Sequence, residues 1–466
     1  MSQSSGNLIV VGQGGAGLAA ALAAAEAARA RNWPIAVTLV DKADEDEAGG
    51  NTRWSPSYMR MASPTRMEPT FVDDMRKATK FQGDEAYFAR LATEAPPTMA
   101  WIALHNIDFI QPTYYLAKGP PRIQPSGGGP IIIKNLTHSA RQAGVKFRHS
   151  CAAREIVIDN GRITGLAVEQ GGAREILPAD SVVLACGGFQ GNGEMMAAHF
   201  GDCAKTMRLI SPGTHFNSGD GIRMAMQLGA DLSGDWNGMH AEPIDARSKT
   251  SAPVVLVYPY GIVVNQNGQR FFDEGGGLVH ETWEWFARDI HFNAPGSIAY
   301  AILDSRLFEI VDYQRAIRSE VPPVRANTLI EMAERIGVDA SNLAATVATY
   351  NAACSGDANC FDATRCDGLA AARMLQPPKS NWARAINVPP FLAYPLVAAV
   401  AYTFGGIATD NRARVMRNGI PIPGLFAAGE MTGHFYKTAP NAVSMLRALV
   451  FGRIAGQEAV ESLRPL

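Results

Sequence analysis

Apolar residues run without interruption from Leu8 to Val11, give way to a cluster of glycines, and resume as an alanine-rich stretch ending near Glu26. A short continuous apolar run bounded by turn residues reads as a strand buried on both faces, and the alanines that follow read as a helix packed closely on it. A second such strand, Ile35–Val40, ends in Asp41. Beyond a glycine loop at Gly49–Thr52 the period becomes helical over Met75–Lys80 and Glu85–His105. Short strands are predicted at Lys146–His149, Ala153–Asp159 and Ile163–Gln170, the last two joined as a hairpin across Asn160-Gly161. Ser181–Ala185 is again continuously apolar and runs into Cys186, Gly187 and Gly188, and a helix follows at Gly221–Leu228. From Trp236 to about Thr403 the pattern is mixed, with an apolar stretch at Val254–Val264 and helices at Glu281–Asp289 and Thr328–Ile336. Glycine punctuation returns in GLFAAGEMTG, and a last helix runs to Glu461. This order predicts an α/β fold: a nucleotide domain of residues 1–235 and 404–466, split by an inserted α+β cap over 236–403.

The composition fits that reading and removes others. The chain has 466 residues, 47% of them hydrophobic, enough for two domains with sizeable cores. A formal net charge of −2 argues against a nucleic-acid partner. The opening MSQSSGN lacks a basic leader and no apolar run reaches spanning length, so a soluble cytoplasmic protein without membrane insertion is expected. Six cysteines occur without a C-x-x-C pair, and the evenly spaced Cys354, Cys360 and Cys366 read as reduced thiols, so no metal is expected.

Chemistry enters with Gly12, Gly14 and Gly17, which fit G-x-G-x-x-G between the first strand and first helix. Such a turn lets backbone approach a pyrophosphate and aims the helix N-terminal N–H groups at it, while an acid at the end of the next strand, here Asp41, suits a ribose hydroxyl.

Further motifs carry a family resemblance. GGNT at Gly49–Thr52, ACGGF at Ala185–Phe189, GIVVNQNGQRFFDE at Gly261–Glu274, YTFGGIATD at Tyr402–Asp410 and GLFAAGE at Gly424–Glu430 resemble, in order, the fumarate reductase and succinate dehydrogenase flavoprotein superfamily. Within it, GTHFNSGDG, PIDAR, YNAAC and PPKSNWARAINVPPFLAYP are most similar to tricarballylate dehydrogenases. The resemblance implies FAD in a Rossmann-like domain, with the cap closing over substrate.

Cofactor-binding positions follow. Gly12, Gly14, Gly15, Ala16, Gly17, Asp41 and Lys42 are expected at the pyrophosphate and adenosine, with Gly49, Gly50, Asn51 and Thr52 further along. The resemblance adds Ala153, Gly187, Gly188, Asp220 and Glu430. The run Asn441, Ala442, Val443, Ser444 and Met445 opens the last helix, whose N–H groups suit the negative charge that a flavin gains on reduction. Asn51 stands where membrane-bound relatives carry the histidine that attaches FAD covalently, so a dissociable, non-covalent FAD is expected.

For catalysis, His240 aligns with a substrate-binding histidine of soluble fumarate reductases, and Tyr402 with a second one. The reductases' proton-delivering arginine is missing: after Arg270 to Glu274 the chain continues Gly275, Gly276, Gly277 and Leu278. Dicarboxylate reduction is therefore disfavoured. The cations expected near the site are Arg53, Arg60, Lys437 and Arg447. APNAVSMLRALVFG and Tyr114 in QPTYYLAKGPP resemble the 3-ketosteroid dehydrogenases, which desaturate ring ketones, and Tyr436 is a further tyrosine near their pattern. The expectation is an FAD-dependent dehydrogenase that forms a C=C bond α,β to a carbonyl or carboxylate, preferably of a small cyclic oxo-acid such as 4-oxocyclohexanecarboxylate. A tyrosine takes the proton and an electron acceptor the sequence does not identify receives the electrons. Alternatives are a tricarballylate-type dehydrogenase, a fumarate reductase-like reductase, a non-catalytic flavin electron-transfer subunit and an oxidase.

Overall fold

The structure, a computed structural model, describes residues 6–464. The reading of the first five residues as part of a leaderless N-terminus lies outside them. Strand Gly6–Val11 sits at the middle of a six-stranded sheet, parallel to Ile35–Val40 on one side and to Ser181–Leu184 on the other. Lys146–Arg148 extends the sheet beyond Ile35–Val40. On the opposite side Ile420–Ala427, from near the end of the chain, runs parallel to Ser181–Leu184 and carries the antiparallel edge strand Arg414–Arg417.

The register aligns four strand ends. Val11 pairs with Val40 and with Leu184, and Leu184 pairs with Ala427. The residues that follow these four positions therefore meet along one edge of the sheet, the edge where open parallel sheets bind ligands.

Helix Gly15–Ala30 is buried along nearly its whole length because the last helix, Ser444–Ser462, crosses it at close quarters. A Cβ at Gly452 would stand 2.3 Å from the Ala16 carbonyl oxygen, and one at Gly456 would stand 2.1 Å from that of Ala20. Small residues on both helices permit that contact.

The predicted hairpin forms as Cys151–Asp159 and Arg162–Gln170, and a third strand, Ala173–Pro178, completes a meander. Asn160 (φ 49°) and Gly161 (φ 77°) both occupy the left-handed region that a two-residue hairpin turn requires.

A second sheet is organised on the thirteen-residue strand Phe391–Thr403. Met239–Asp245, Ala299–Leu303 and Val324–Ala326 pair antiparallel to it, and Ile262–Val264 extends it from Ala299–Leu303. Arg208–Leu209, upstream of the expected cap, also joins this strand. The chain passes between the two sheets where Leu232–Ser233 pairs antiparallel with Gly406–Ile407. Of the apolar stretch Val254–Val264 only Ile262–Val264 is strand, since Pro253 and Pro259 have no N–H for a ladder and Tyr258–Tyr260 turns as a 3-10 helix. Helix Val279–Phe292 packs on Met239–Asp245 and so faces the seam between the sheets.

Candidate active site

One continuous cleft runs from the glycine turn to the cap sheet. At its first end Gly12 has φ +103°, and a Cβ there would lie 2.5 Å from the Ala185 carbonyl oxygen. A Cβ at Gly17 would lie 1.8 Å from the Gly12 carbonyl oxygen, so Gly17 seats the helix on the turn without facing the cleft. Gly14, Gly15 and Ala16 line the opening, with Gly15 N–H donating to Thr52 Oγ1 at 3.1 Å. Asp41 accepts the Gln13 N–H at 2.6 Å and the Ala43 N–H at 2.8 Å. Burial pushes its carboxyl up, against the pull of those two donors. Lys42 turns to Asp220, Nζ to Oδ2 at 2.7 Å, and to the Ser218 hydroxyl.

Further along, Gly50, Asn51, Ala153 and Gly187 line the wall, whereas Gly49 and Gly188 lie behind it. A Cβ at Gly188 would fall 2.3 Å from Glu430 Oε1. Glu430 itself faces the cleft, accepting long contacts of 3.3 Å from the Thr403 N–H and from Asn217 Nδ2, with the Gln190 side chain and the Gly188 N–H as further donors. Burial pushes its carboxyl up to about 7. A buried carboxyl that faces the cleft is suited to the hydroxyls of a ribityl chain or ribose. Asn441, Ala442, Ser444 and Met445 close this side. No side chain caps the helix that starts at Ser444, so its first N–H groups have no intrahelical partner and stand beside the cleft. A glycine turn that only glycine fits, helix N-termini at Gly15 and Ser444 beside the cleft and a buried carboxyl between them together fit FAD.

The other end is aromatic and charged. His240 and Tyr402 are cross-strand partners, and the register shift just after His240 turns the two rings onto each other, stacked with centroids 4.8 Å apart. His240 Nδ1 is 2.7 Å from Glu284 Oε2, and Nε2 is 3.4 Å from Glu242 Oε1. Burial alone would lower this imidazole, yet the hydrogen bonds to the two glutamates outweigh it and push the group up to about 9. His240 is therefore an imidazolium at neutral pH. Tyr402 is pushed well above the ordinary phenol value by burial, with Ser444 opposing, so it remains a hydrogen-bond donor. Glu242, Trp283, Tyr115, Tyr58, Arg122 and Arg318 complete this end.

Two expected tyrosines do not face the cleft. Tyr114 donates to Asn441 Oδ1 at 2.7 Å while its neighbour Tyr115 lines the wall. Tyr436 holds the crossing point between the sheets, its hydroxyl 3.1 Å from Ser233 Oγ and accepting the Gly234 N–H at 3.1 Å. The expected cations also divide. Arg60 is paired with Glu68 at 3.1 Å and Asp74 at 2.5 Å, Arg53 donates to the Ala48 carbonyl at 2.8 Å, and neither these nor Lys437 line the cleft; Arg447 does. The cations at the aromatic end of the cleft are instead Arg122 and Arg318, which no local pattern marked.

A split sheet with a pyrophosphate turn at one end and a protonated imidazole under an inserted cap defines a flavin-dependent oxidoreductase. The chain belongs to the FAD binding domain family (FAD_binding_2), which matches residues 7–442. It is 29% identical over 482 residues to the probable fumarate reductase Ifc3 of Shewanella frigidimarina (strain NCIMB 400), covering 97% of this chain and 74% of that protein. It is 31% identical over 329 residues to the 4-oxocyclohexanecarboxylate 2-dehydrogenase of Sinomonas cyclohexanicum, covering 64% of this chain and 54% of that one. The open form of a flavocytochrome c3 fumarate reductase superposes with a TM-score of 0.78 at 25% identity, over 98% of this chain and 78% of that chain. The protein is thus an FAD-dependent oxidoreductase acting on CH–CH groups. No helix among the described residues is long and apolar enough to cross a membrane.

Proposed function

We propose that the protein is a dehydrogenase that introduces a C=C bond α,β to the carbonyl of a small cyclic oxo-acid, with 4-oxocyclohexanecarboxylate as the preferred substrate, and that its FAD is dissociable. The observation that carries this reading is the stacked pair of Tyr402 and His240, two donors at the cap seam with a carboxylate, Glu242, beside them. A ring ketone placed there receives hydrogen bonds from the Tyr402 hydroxyl and His240 Nε2–H, which acidify the neighbouring C–H and stabilise the enolate as charge builds on oxygen. Glu242 takes the α proton. Bound FAD supplies the acceptor for the hydride that leaves the β carbon, so the substrate loses one proton and one hydride and gains the double bond. The electrons then pass to a separate acceptor of the quinone, cytochrome or dye class. Tyr402 is assigned as donor rather than base because its burial keeps the phenol protonated.

A second reading, oxidation of tricarballylate to an aconitate, is favoured by the two guanidiniums at the same end, Arg122 and Arg318. Anaerobic mixing of holoenzyme with each acid, followed by flavin bleaching, separates the two. Bleaching by 4-oxocyclohexanecarboxylate and not by tricarballylate is expected; absence of bleaching by any cyclic ketone overturns the first reading.

A further inference from the structure

We propose that Arg122 and Arg318 form a carboxylate-binding subsite that takes the acid group of the substrate, remote from the bond being oxidised. This rests on the oxo-acid reading only in naming the substrate; the subsite itself stands on the two side chains.

Both guanidiniums line the cleft, and neither meets a carboxylate within 4.0 Å among the described residues. Arg122 is only 4% exposed. Tyr58 and Tyr114 lie on it with ring centroids 3.7 and 3.8 Å from its Cζ. Its Nε has no partner and its single hydrogen bond is a 3.4 Å contact to the Thr113 carbonyl. Aromatic faces hold a guanidinium flat but satisfy none of its in-plane N–H donors. Arg318 donates to the Tyr58 hydroxyl at 2.8 Å and stands 5.8 Å from the same ring that Arg122 covers. Two like charges are therefore gathered around one tyrosine, in a partly desolvated wall, and no carboxylate among the described residues lies within ion-pairing distance of either. Burying unpaired cations is costly, and a bidentate carboxylate is the partner whose geometry matches the open edge of a guanidinium. Tyr114 acquires a role in this arrangement: it is a positioning residue, stacked on Arg122 and anchored through Asn441. Tyr115 and Trp283 supply an apolar wall between this cationic corner and His240, of a size that suits a ring.

The test is a titration of the holoenzyme with cyclohexanecarboxylate, which has no ketone to oxidise, and with its methyl ester, which has the same shape and no charge. At constant ionic strength, with binding read from the shift of the flavin absorption spectrum, the acid is expected to bind roughly tenfold or more tighter than the ester. Arg318→Gln is expected to bring the ratio to within about threefold, with Arg318→Lys intermediate, because an ammonium keeps the charge and loses the fork. Equal binding of acid and ester by the unaltered enzyme overturns the proposal, and so does a ratio that survives in both Arg318→Gln and Arg122→Gln. The comparison on the unaltered enzyme decides the matter even if a variant fails to fold. A holoenzyme that favours the acid but is not bleached by any ring ketone retains the subsite and loses the oxo-acid reading.

Discussion

Asn51 donates from Nδ2 to the carbonyl of Ala401 at 2.8 Å, across 350 residues of sequence, and its Oδ1 accepts from the hydroxyls of Thr214 at 2.6 Å and Ser211 at 3.0 Å. One amide thus fastens the second glycine loop to the end of the long cap strand. Asn51→Ala removes every one of these bonds, and a loss of about 1–3 kcal/mol is expected in chemical denaturation, with weaker FAD binding measured by flavin fluorescence. An amide is also no nucleophile toward a flavin methyl group. Acid precipitation of the holoenzyme is accordingly expected to leave all the flavin in the supernatant.

His240 carries the pH dependence. Its folded value of about 9 lies above the ordinary 6.5, so the protonated form is the one the fold favours. That contribution to stability is complete below about 6.5 and is lost as pH rises through about 9. The imidazolium donor disappears over the same upper range. The rate of flavin reduction by substrate is expected to fall above pH 9. His240→Gln is expected to remove this limb and to slow reduction roughly a hundred- to a thousandfold, the usual effect of deleting one donor to a developing oxyanion.

Glu430 acts in the same sense as His240, over a lower pH range. Burial raises its carboxyl to about 7, so in the apoprotein ionisation is what the fold resists, and stability declines as pH rises from the ordinary 4.5 toward 7. Glu430→Gln is expected to remove that decline, seen as a melting temperature of the apoprotein that no longer falls across this range. Glu430→Leu, which has no polar atom for a hydroxyl, is expected to weaken FAD binding roughly tenfold or more. Equal FAD affinity of the Leu variant and the unaltered protein would remove Glu430 from the cofactor site.

Gly17→Ala tests the seat of the first helix. The new methyl group would stand 1.8 Å from the Gly12 carbonyl oxygen, and neither that backbone nor the Ala185 methyl beyond it, 3.5 Å away, can swing aside. A destabilisation of about 3 kcal/mol is expected from equilibrium unfolding, together with loss of bound FAD, because the turn must open to admit it.

The parts that were legible in the sequence are those where local chemistry admits one structure. Gly12 and Gly17 mark a turn other residues cannot make, Asn160-Gly161 marks a two-residue hairpin turn, and Ser181–Leu184 is apolar on both faces because both are covered. The substrate end was legible only at His240 and Tyr402. Tyr114 and Tyr115 show why: they are adjacent, so their side chains leave the backbone in different directions, and only neighbours distant in sequence determine that Tyr115 meets the cleft while Tyr114 meets Asn441. Arg122 and Arg318 lie in irregular segments with no periodicity to place them. Glu284, one of the two acids that keep His240 charged, sits on a helix where its spacing matches an ordinary core-facing position.

The crossing of helix Gly15–Ala30 by Ser444–Ser462 has a consequence for biosynthesis. The alanine-rich helix leaves the ribosome long before the Gly452 and Gly456 surface that covers it. Strand Ile420–Ala427, which flanks Ser181–Leu184, is equally late. The nascent chain must therefore keep an apolar helix and an unpaired strand edge out of aggregation until those later segments have been made. A flavin in the cleft that Gly12 and Ala442 both line can be fully enclosed only after the later of these segments has emerged. Enclosure of the cofactor then waits on that segment, and chains truncated before Ile420 should accumulate as insoluble, colourless protein.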